Sequence, residues 1–350
     1  MQPAASSNGS HAVLHAVMRP VVEVAQRHPG ATELVVNGSG AITIKTADGA
    51  WTCVEGQSLS FDALKGMALA VAKQTAQSFN EQKAVLMGTL PTGERLTFIG
   101  PPVTPANTIS LTMRLVQNRE RTMDAYAGSG FFDRFAWVNR PEQNSGDPMG
   151  QLLEDRRLQE FLIEAVQRRM TIGVIGDTGS GKTFLMECLM RSIPADQRLV
   201  IAESARELML PLHRNKVSLL YSQFDTGVSA LDASNLATIT KRMSPDWVLL
   251  GECIGPESFV CLKMAISGTP GLTSWHAKSL AVARDRFLLM AKEHADARQF
   301  DTERLGELFD QSFDVLVFVE VDRTQLNPLG NVFRHISEVH YRAGHSEAHQ

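Results

Sequence analysis

Apolar positions recur along this chain with two alternating periods, and the places where the period changes mark its elements. Residues 12–28 carry Leu14, Val17, Met18, Val21, Val22 and Ala25 at helical spacing, with Pro20 as a candidate kink. The ten residues before them are small and polar and read as a tail. Short strand patterns follow at 34–36, 41–45 and 51–54, separated by the turn dipeptides Asn37-Gly38 and Asp48-Gly49. Leu64, Met67, Ala68, Val71 and Ala72 then lie on one face of a helix predicted over 61–78, with Ser60 as its N-cap. Strand patterns at 85–87, 95–99 and 108–115, the last two separated by Pro101, Pro102 and Pro105, complete an N-terminal α+β domain over residues 1–116.

Residues 117–150 change character. Polar stretches rich in Gly and Pro flank the aromatic run Phe131-Phe132-Asp133-Arg134-Phe135-Ala136-Trp137. The segment reads as an interdomain linker with one adhesive patch that docks on a neighbouring surface. From 151 to 350 the pattern becomes α/β. A helix over 158–170 precedes apolar runs at 172–175, 199–202, 217–221, 228–230, 247–250, 272–275 and 315–319. Helical stretches at 232–242, 256–267, 279–293 and 301–311 separate several of them. Buried strands alternating with helices predict a mostly parallel sheet covered on both faces.

Composition narrows the function classes. A chain of 350 residues, 43% hydrophobic, suits two domains with ample cores. A net charge of −4 leaves no global basic footprint, so direct nucleic-acid binding is not expected. Cys53, Cys188, Cys253 and Cys261 show neither a C-x-x-C pair nor a disulfide framework, as suits small buried residues in a reducing cytosol. No secretory signal and no run of bilayer-spanning length is visible, which predicts a cytoplasmic protein or one peripheral to a membrane.

The run 176–183, Gly-Asp-Thr-Gly-Ser-Gly-Lys-Thr, fits the phosphate-binding pattern G-x-x-x-x-G-K-[ST] between a strand and a helix. Gly176, Gly179 and Gly181 leave room for phosphate, and the N–H groups of Thr178 and Ser180 belong to the cradle. The N-terminus of the following helix adds positive potential. Lys182 is placed to reach the β- and γ-phosphates of ATP, and the Thr183 hydroxyl to hold Mg²⁺. Turnover needs a carboxylate as well. Trp247-Val248-Leu249-Leu250-Gly251-Glu252 supplies one at the C-terminal end of a buried strand, where α/β sites lie, although a solvated loop glutamate fits this run equally well.

The motifs in order resemble those of the type II/type IV secretion, pilus-motor and conjugation ATPases, above all the traffic ATPases of VirB-type type IV secretion. Residues 240–252, Thr-Lys-Arg-Met-Ser-Pro-Asp-Trp-Val-Leu-Leu-Gly-Glu, resemble that family's run before its Walker B glutamate, and residues 268–277 resemble its histidine box. Ser279, Ala283 and Arg286 follow at the family's spacing, and residues 198–208 resemble its acidic box. The resemblance implies a C-terminal RecA-like P-loop ATPase domain. It implies Glu203 as the residue that orients or deprotonates water, Glu252 acting through Mg²⁺, and His276 as a γ-phosphate sensor. Arg95 and Arg114 match the N-terminal-domain arginines that reach the phosphates, and Arg242 fits its motif as either a functional or an ion-pairing residue. The implied assembly is a homo-hexamer working with inner-membrane components of a secretion machine, peripheral to that membrane, with residues 117–150 as hinge.

Three departures from the family pattern stand out. An acidic residue, Asp177, sits inside the phosphate loop, Ser204 replaces an Asp beside Glu203, and Ser274-Trp275 replaces two small residues before His276. Asp177 and Ser204 keep open a nucleotide-gated docking hub with little turnover as the alternative to a motor. A pilus or type II secretion motor is the alternative within the family, although no four-cysteine zinc module is present.

Overall fold

The computed structural model describes residues 7–28, 30–38, 40–46, 49–115, 123–141, 146–203, 208, 210, 213–221, 233–328 and 332–343. The described residues form two compact units, one within 1–119 and the other within 120–350.

The first unit opens with helix α1 (Ser7–Arg27), so residues 7–10 are helical where a tail was expected, and Pro20 lies inside the helix. Strands β1 (Ala31–Asn37), β2 (Gly40–Thr46) and β3 (Trp51–Leu59) follow, then helix α2 (Phe61–Gln74) and strands β4 (Val85–Thr89), β5 (Arg95–Ile99) and β6 (Ser110–Arg114). Ser60 caps α2 as predicted, its hydroxyl accepting the Ala63 N–H at 3.2 Å. The six strands form one antiparallel sheet in the order β3-β2-β1-β6-β5-β4. Leu34, Val36, Ile42, Leu96, Phe98, Leu111 and Met113 point from it into a core shared with Met18 and Val21 of α1 and Leu64, Met67 and Val71 of α2. The alternate positions form the sheet's other face.

The second unit begins earlier than the predicted boundary. Helix α3 (Met123–Ala127) and the two-residue strand β7 (Ala136–Trp137) fall inside the stretch read as a linker, and helix α4 (Pro148–Glu154) begins inside it. Phe131, Phe132 and Phe135 are buried in the second unit's core, and Tyr126 stacks on Phe184 with ring centroids 3.8 Å apart. The aromatic run is therefore core, and its polar flanks disguised it. Asp147 caps α4 by accepting the N–H groups of Met149 and Gly150.

Helix α5 (Leu158–Gln167) leads into β8 (Ile172–Gly176), the phosphate loop and α6 (Lys182–Arg191). Then come β9 (Leu199–Glu203), β10 (Lys216–Leu220), α7 (Ala233–Arg242), β11 (Trp247–Cys253), α8 (Glu257–Ile266), β12 (Gly271–Trp275), α9 (Leu280–Ala291), α10 (Thr302–Ser312), β13 (Val315–Leu326) and β14 (Val332–Tyr341). The strand pattern predicted at 228–230 lies outside the described residues.

The eight-stranded sheet runs β10-β9-β11-β12-β8-β13-β14-β7, and every pairing but β13–β14 is parallel. Each face has its own core. Ile172, Val174, Leu199, Ile201, Leu249, Val315 and Val317 pack with α5 and α6 on one side. Ile175, Val248, Leu250, Trp275, Leu316 and Phe318 pack with α8, α9 and α10 on the other. Burial on both faces explains why β8, β9 and β12 are continuously buried rather than alternating. Among the described residues no helix is long and apolar enough to cross a membrane.

Candidate active site

The parallel strands all end on one edge of the sheet, and the candidate residues of the second unit gather there. β8 sits between β12 and β13, so the phosphate loop rises beside the ends of both. Two glycines in it have no substitute. At Gly176 a Cβ would overlap the Val319 carbonyl oxygen of β13 and stand 2.6 Å from Ser180 Oγ. Gly181, with φ +111°, is the left-handed N-cap of α6. Ser180 is buried, and its Oγ has no hydrogen-bond partner among the described residues. A buried donor inside a loop of turned-in N–H groups fits a phosphate oxygen.

Lys182 is almost fully buried, and its ammonium has several partners. It donates to the carbonyls of Gly176 (3.0 Å) and Asp177 (3.1 Å) and to Nδ1 of His276 (3.2 Å). An ammonium only donates, so Nδ1 accepts and the imidazole carries its proton on Nε2. That Nε2 lies 3.0 Å from Glu252 Oε1. Lys182, His276 and Glu252 thus form one continuous chain from the phosphate loop to the end of β11. Trp275, which precedes His276, is anchored in an aromatic cluster with Phe287, Phe309 and Phe313, and its Nε1 donates to the Ala283 carbonyl at 3.0 Å. The bulky residue that departs from the family pattern is therefore what fixes the root of the histidine.

Glu203, at the end of β9, is buried, and its Oε1 accepts the Leu208 N–H at 2.8 Å. It lies against Gly251 of the neighbouring β11, where a Cβ would stand 3.5 Å from Glu203 Cγ. Glycine at 251 leaves this carboxylate room beside the strand that carries Glu252. Ser204 lies outside the described residues.

The Asp177 side chain is exposed, and its Oδ1 accepts the N–H of Thr178 at 2.7 Å. Thr183 follows Lys182 in the first turn of α6 and is half-buried. Arg242 is exposed at the end of α7. In the first unit, Arg95 and Arg114 are directly paired across β5 and β6, and Glu33 of β1 is opposite Arg114. Two like charges side by side on a sheet are unfavourable unless an anion joins them.

One residue absent from every sequence motif completes the loop's surroundings. Arg334 of β14 donates from Nε to the Gly179 carbonyl at 3.0 Å. Among the described residues no cluster of three or more His, Cys, Asp or Glu side chains could hold a metal by itself. A hydroxyl and a carboxylate, Thr183 and Glu252, are hard oxygen donors of the kind Mg²⁺ takes alongside phosphate oxygens.

Comparison with known proteins gives this geometry its context. Residues 145–316 match the model of the family described as type II/IV secretion system protein. The chain is 36% identical over 321 residues to the type IV secretion system protein VirB11 of Brucella suis, covering 89% of this chain and 86% of that one. It is 32% identical over 319 residues to the type IV secretion system protein PtlH homolog of Bordetella bronchiseptica, covering 89% and 90%. In fold it resembles the crystal structure of the pilus retraction motor PilT with bound ADP, at 13% identity and a TM-score of 0.61 over 95% of this chain and 84% of that one.

Proposed function

The chain belongs to the type II/IV secretion ATPase family, with a RecA-like P-loop domain, and we propose that it works as the Mg-ATP-driven ring motor of a type IV secretion or conjugative transfer machine. It is an ATP-hydrolysing P-loop enzyme of the secretion class. The observation that carries the motor reading is the chain Lys182–His276–Glu252, which ties the phosphate-binding lysine to a hydrolytic carboxylate.

Each residue has a part in this reading. The N–H groups of residues 178–183 and the Ser180 hydroxyl hold the phosphates, and Lys182 exchanges its carbonyl partners for β- and γ-phosphate oxygens. That exchange takes the ammonium away from His276 Nδ1, so phosphate arrival is felt at once by the histidine and, through Nε2, by Glu252. Glu203 and Glu252, at the ends of adjacent strands, orient the attacking water and receive its proton. Thr183 and Glu252 are the side chains that would hold Mg²⁺, which when bound neutralises charge on the phosphate oxygens. Arg95 and Arg114 form a two-guanidinium surface suited to phosphoryl oxygens, which gives the first unit a stake in the nucleotide state. Domain motion driven by that stake, in a hexamer docked on inner-membrane components, is how turnover becomes mechanical work. Met123, Phe131, Phe132, Phe135 and Met149, all within the stretch 117–150 expected as hinge, belong to the second unit's core.

Purified protein should hydrolyse ATP in the presence of Mg²⁺. Lys182→Ala and Glu252→Gln should each lower kcat by about 100-fold or more, the scale of lost electrostatic stabilisation at one group. Wild-type turnover no greater than that of Lys182→Ala, with ATP binding intact, would favour the docking-hub reading. Light scattering with ATP should give a hexamer; a monomer with and without nucleotide would refute the ring.

A further inference from the structure

The C-terminal hairpin β13–β14 forms the outer wall of the phosphate loop. Val319 of β13 presents its carbonyl to Gly176, and Arg334 of β14 covers the loop at residues 179–181. The Arg334 stem passes Gly181 so closely that a Cβ there would stand 3.4 Å from its Cδ. Its Nε donates to the Gly179 carbonyl at 3.0 Å, and one Nη donates to the Val332 carbonyl at 3.3 Å, which ties the guanidinium back to its own strand.

We propose that Arg334 is a positioning residue for nucleotide binding, holding the Gly179–Ser180 peptide with its carbonyl outward and its N–H turned into the phosphate cradle. In a trans peptide the two groups point in opposite directions, so pinning one aims the other. The Ser180 N–H donates to the Asp177 carbonyl at 3.2 Å, a turn bond across the loop that a phosphate oxygen would replace. A donor bearing full positive charge makes this a charge-assisted bond, stronger than a neutral one. It also adds a fixed cation behind a loop that carries the acidic Asp177. The proposal rests on reading residues 176–183 as the phosphate site, and it assigns to the last strand of the sheet a role that no motif marks.

The test measures binding of a fluorescent ATP analogue, its displacement by inorganic pyrophosphate, and steady-state ATPase for the full-length wild type, Arg334→Ala, Arg334→Gln and Arg334→Lys. In the Ala and Gln variants the ATP Kd and the pyrophosphate Ki should rise together by about tenfold, with kcat at saturating ATP within about twofold of wild type. Arg334→Lys, which keeps the charge and one donor, should recover most of the loss. The proposal is overturned if the Gln variant leaves both constants within twofold of wild type. It is equally overturned if ATP weakens while pyrophosphate does not, or if kcat falls with KM unchanged. Should Arg334→Ala fail to fold by near-ultraviolet circular dichroism, the Gln and Lys variants decide. Failure of pyrophosphate to displace the analogue from the wild type would instead overturn the loop assignment itself.

Discussion

Glu257 offers a test in which the sign of a pH effect follows from geometry. It lies just beyond β11, fully buried, with Oε1 accepting the N–H groups of Ile254 (2.6 Å) and Gly255 (2.9 Å). Its Oε2 has no hydrogen-bond partner among the described residues, and a Cβ on Gly255 would stand 3.5 Å from it and 3.2 Å from Glu293 Oε2. Burial pushes the Glu257 carboxyl above its ordinary value; the backbone N–H groups oppose this, and the Glu293 charge adds to the rise. The folded protein therefore keeps this proton to a higher pH than the unfolded chain does. Stability from this group is fully present below the ordinary carboxylate range and is lost as pH rises through the folded value, by at most ~1.4 kcal/mol per pH unit.

Glu257→Gln keeps an acceptor for both N–H groups and offers Glu293 an NH₂ donor. It should match the wild type near pH 4.5 and become progressively more stable than it above that, within the same slope limit. Glu257→Ala strands two N–H groups and should lose about 2–5 kcal/mol at every pH. The assay is urea unfolding followed by tryptophan fluorescence in a Trp51→Phe background, so that Trp137, Trp247 and Trp275 report on the second unit alone. A Gln variant as unstable as the Ala variant would refute the reasoning, as would a difference from wild type that stays constant between about pH 5 and pH 8.

Asp177→Asn removes an exposed negative charge from the phosphate loop while keeping an acceptor for Thr178 N–H; ATP should bind about three- to fivefold tighter in calorimetry, more so at low salt. An unchanged affinity would show that the carboxylate is screened from the phosphates. Phe131→Ala empties a fully buried ring site and should cost about 3–5 kcal/mol, seen as faster hydrogen exchange through α5 and α6 while β1 to β6 keep their protection. Equal loosening of both units would contradict the assignment of the aromatic run to the second.

The elements that sequence revealed are those with a clean period or a motif. β8 is a continuous apolar run, β9 and β11 open on one, β12 is continuously buried, and α2 carries a regular stripe and a serine cap. Lys182, Glu252 and His276 stand in spaced motifs, and the fold brings all three into contact. β14 was not visible because its burial does not alternate: its pairing with β13 shifts register between Phe318 and Val319, which breaks the period-two signal. Arg334 was hidden with it, since a lone arginine in an unrecognised strand has no local signature. The linker was misread for a related reason. Residues flanking Phe131 to Phe135 are polar, and only tertiary contacts such as Tyr126 on Phe184 show that the rings face inward.

The place of β8 between β12 and β13 also sets a timetable. The strand that carries the phosphate loop has no neighbour close to it in sequence, because Ile172 pairs with Leu272 on one side and Val315 on the other. Val319 closes against Gly176 from about 140 residues later, which at ~5–20 residues per second is about 7 to 30 seconds of synthesis. Until then the loop's glycines and lysine are made but unsupported, and the apolar edges of β8 are open to wrong partners. The wall of the loop that Val319 supplies is thus made long after the loop itself, and the loop takes its folded surroundings only once β13 has been added to the sheet.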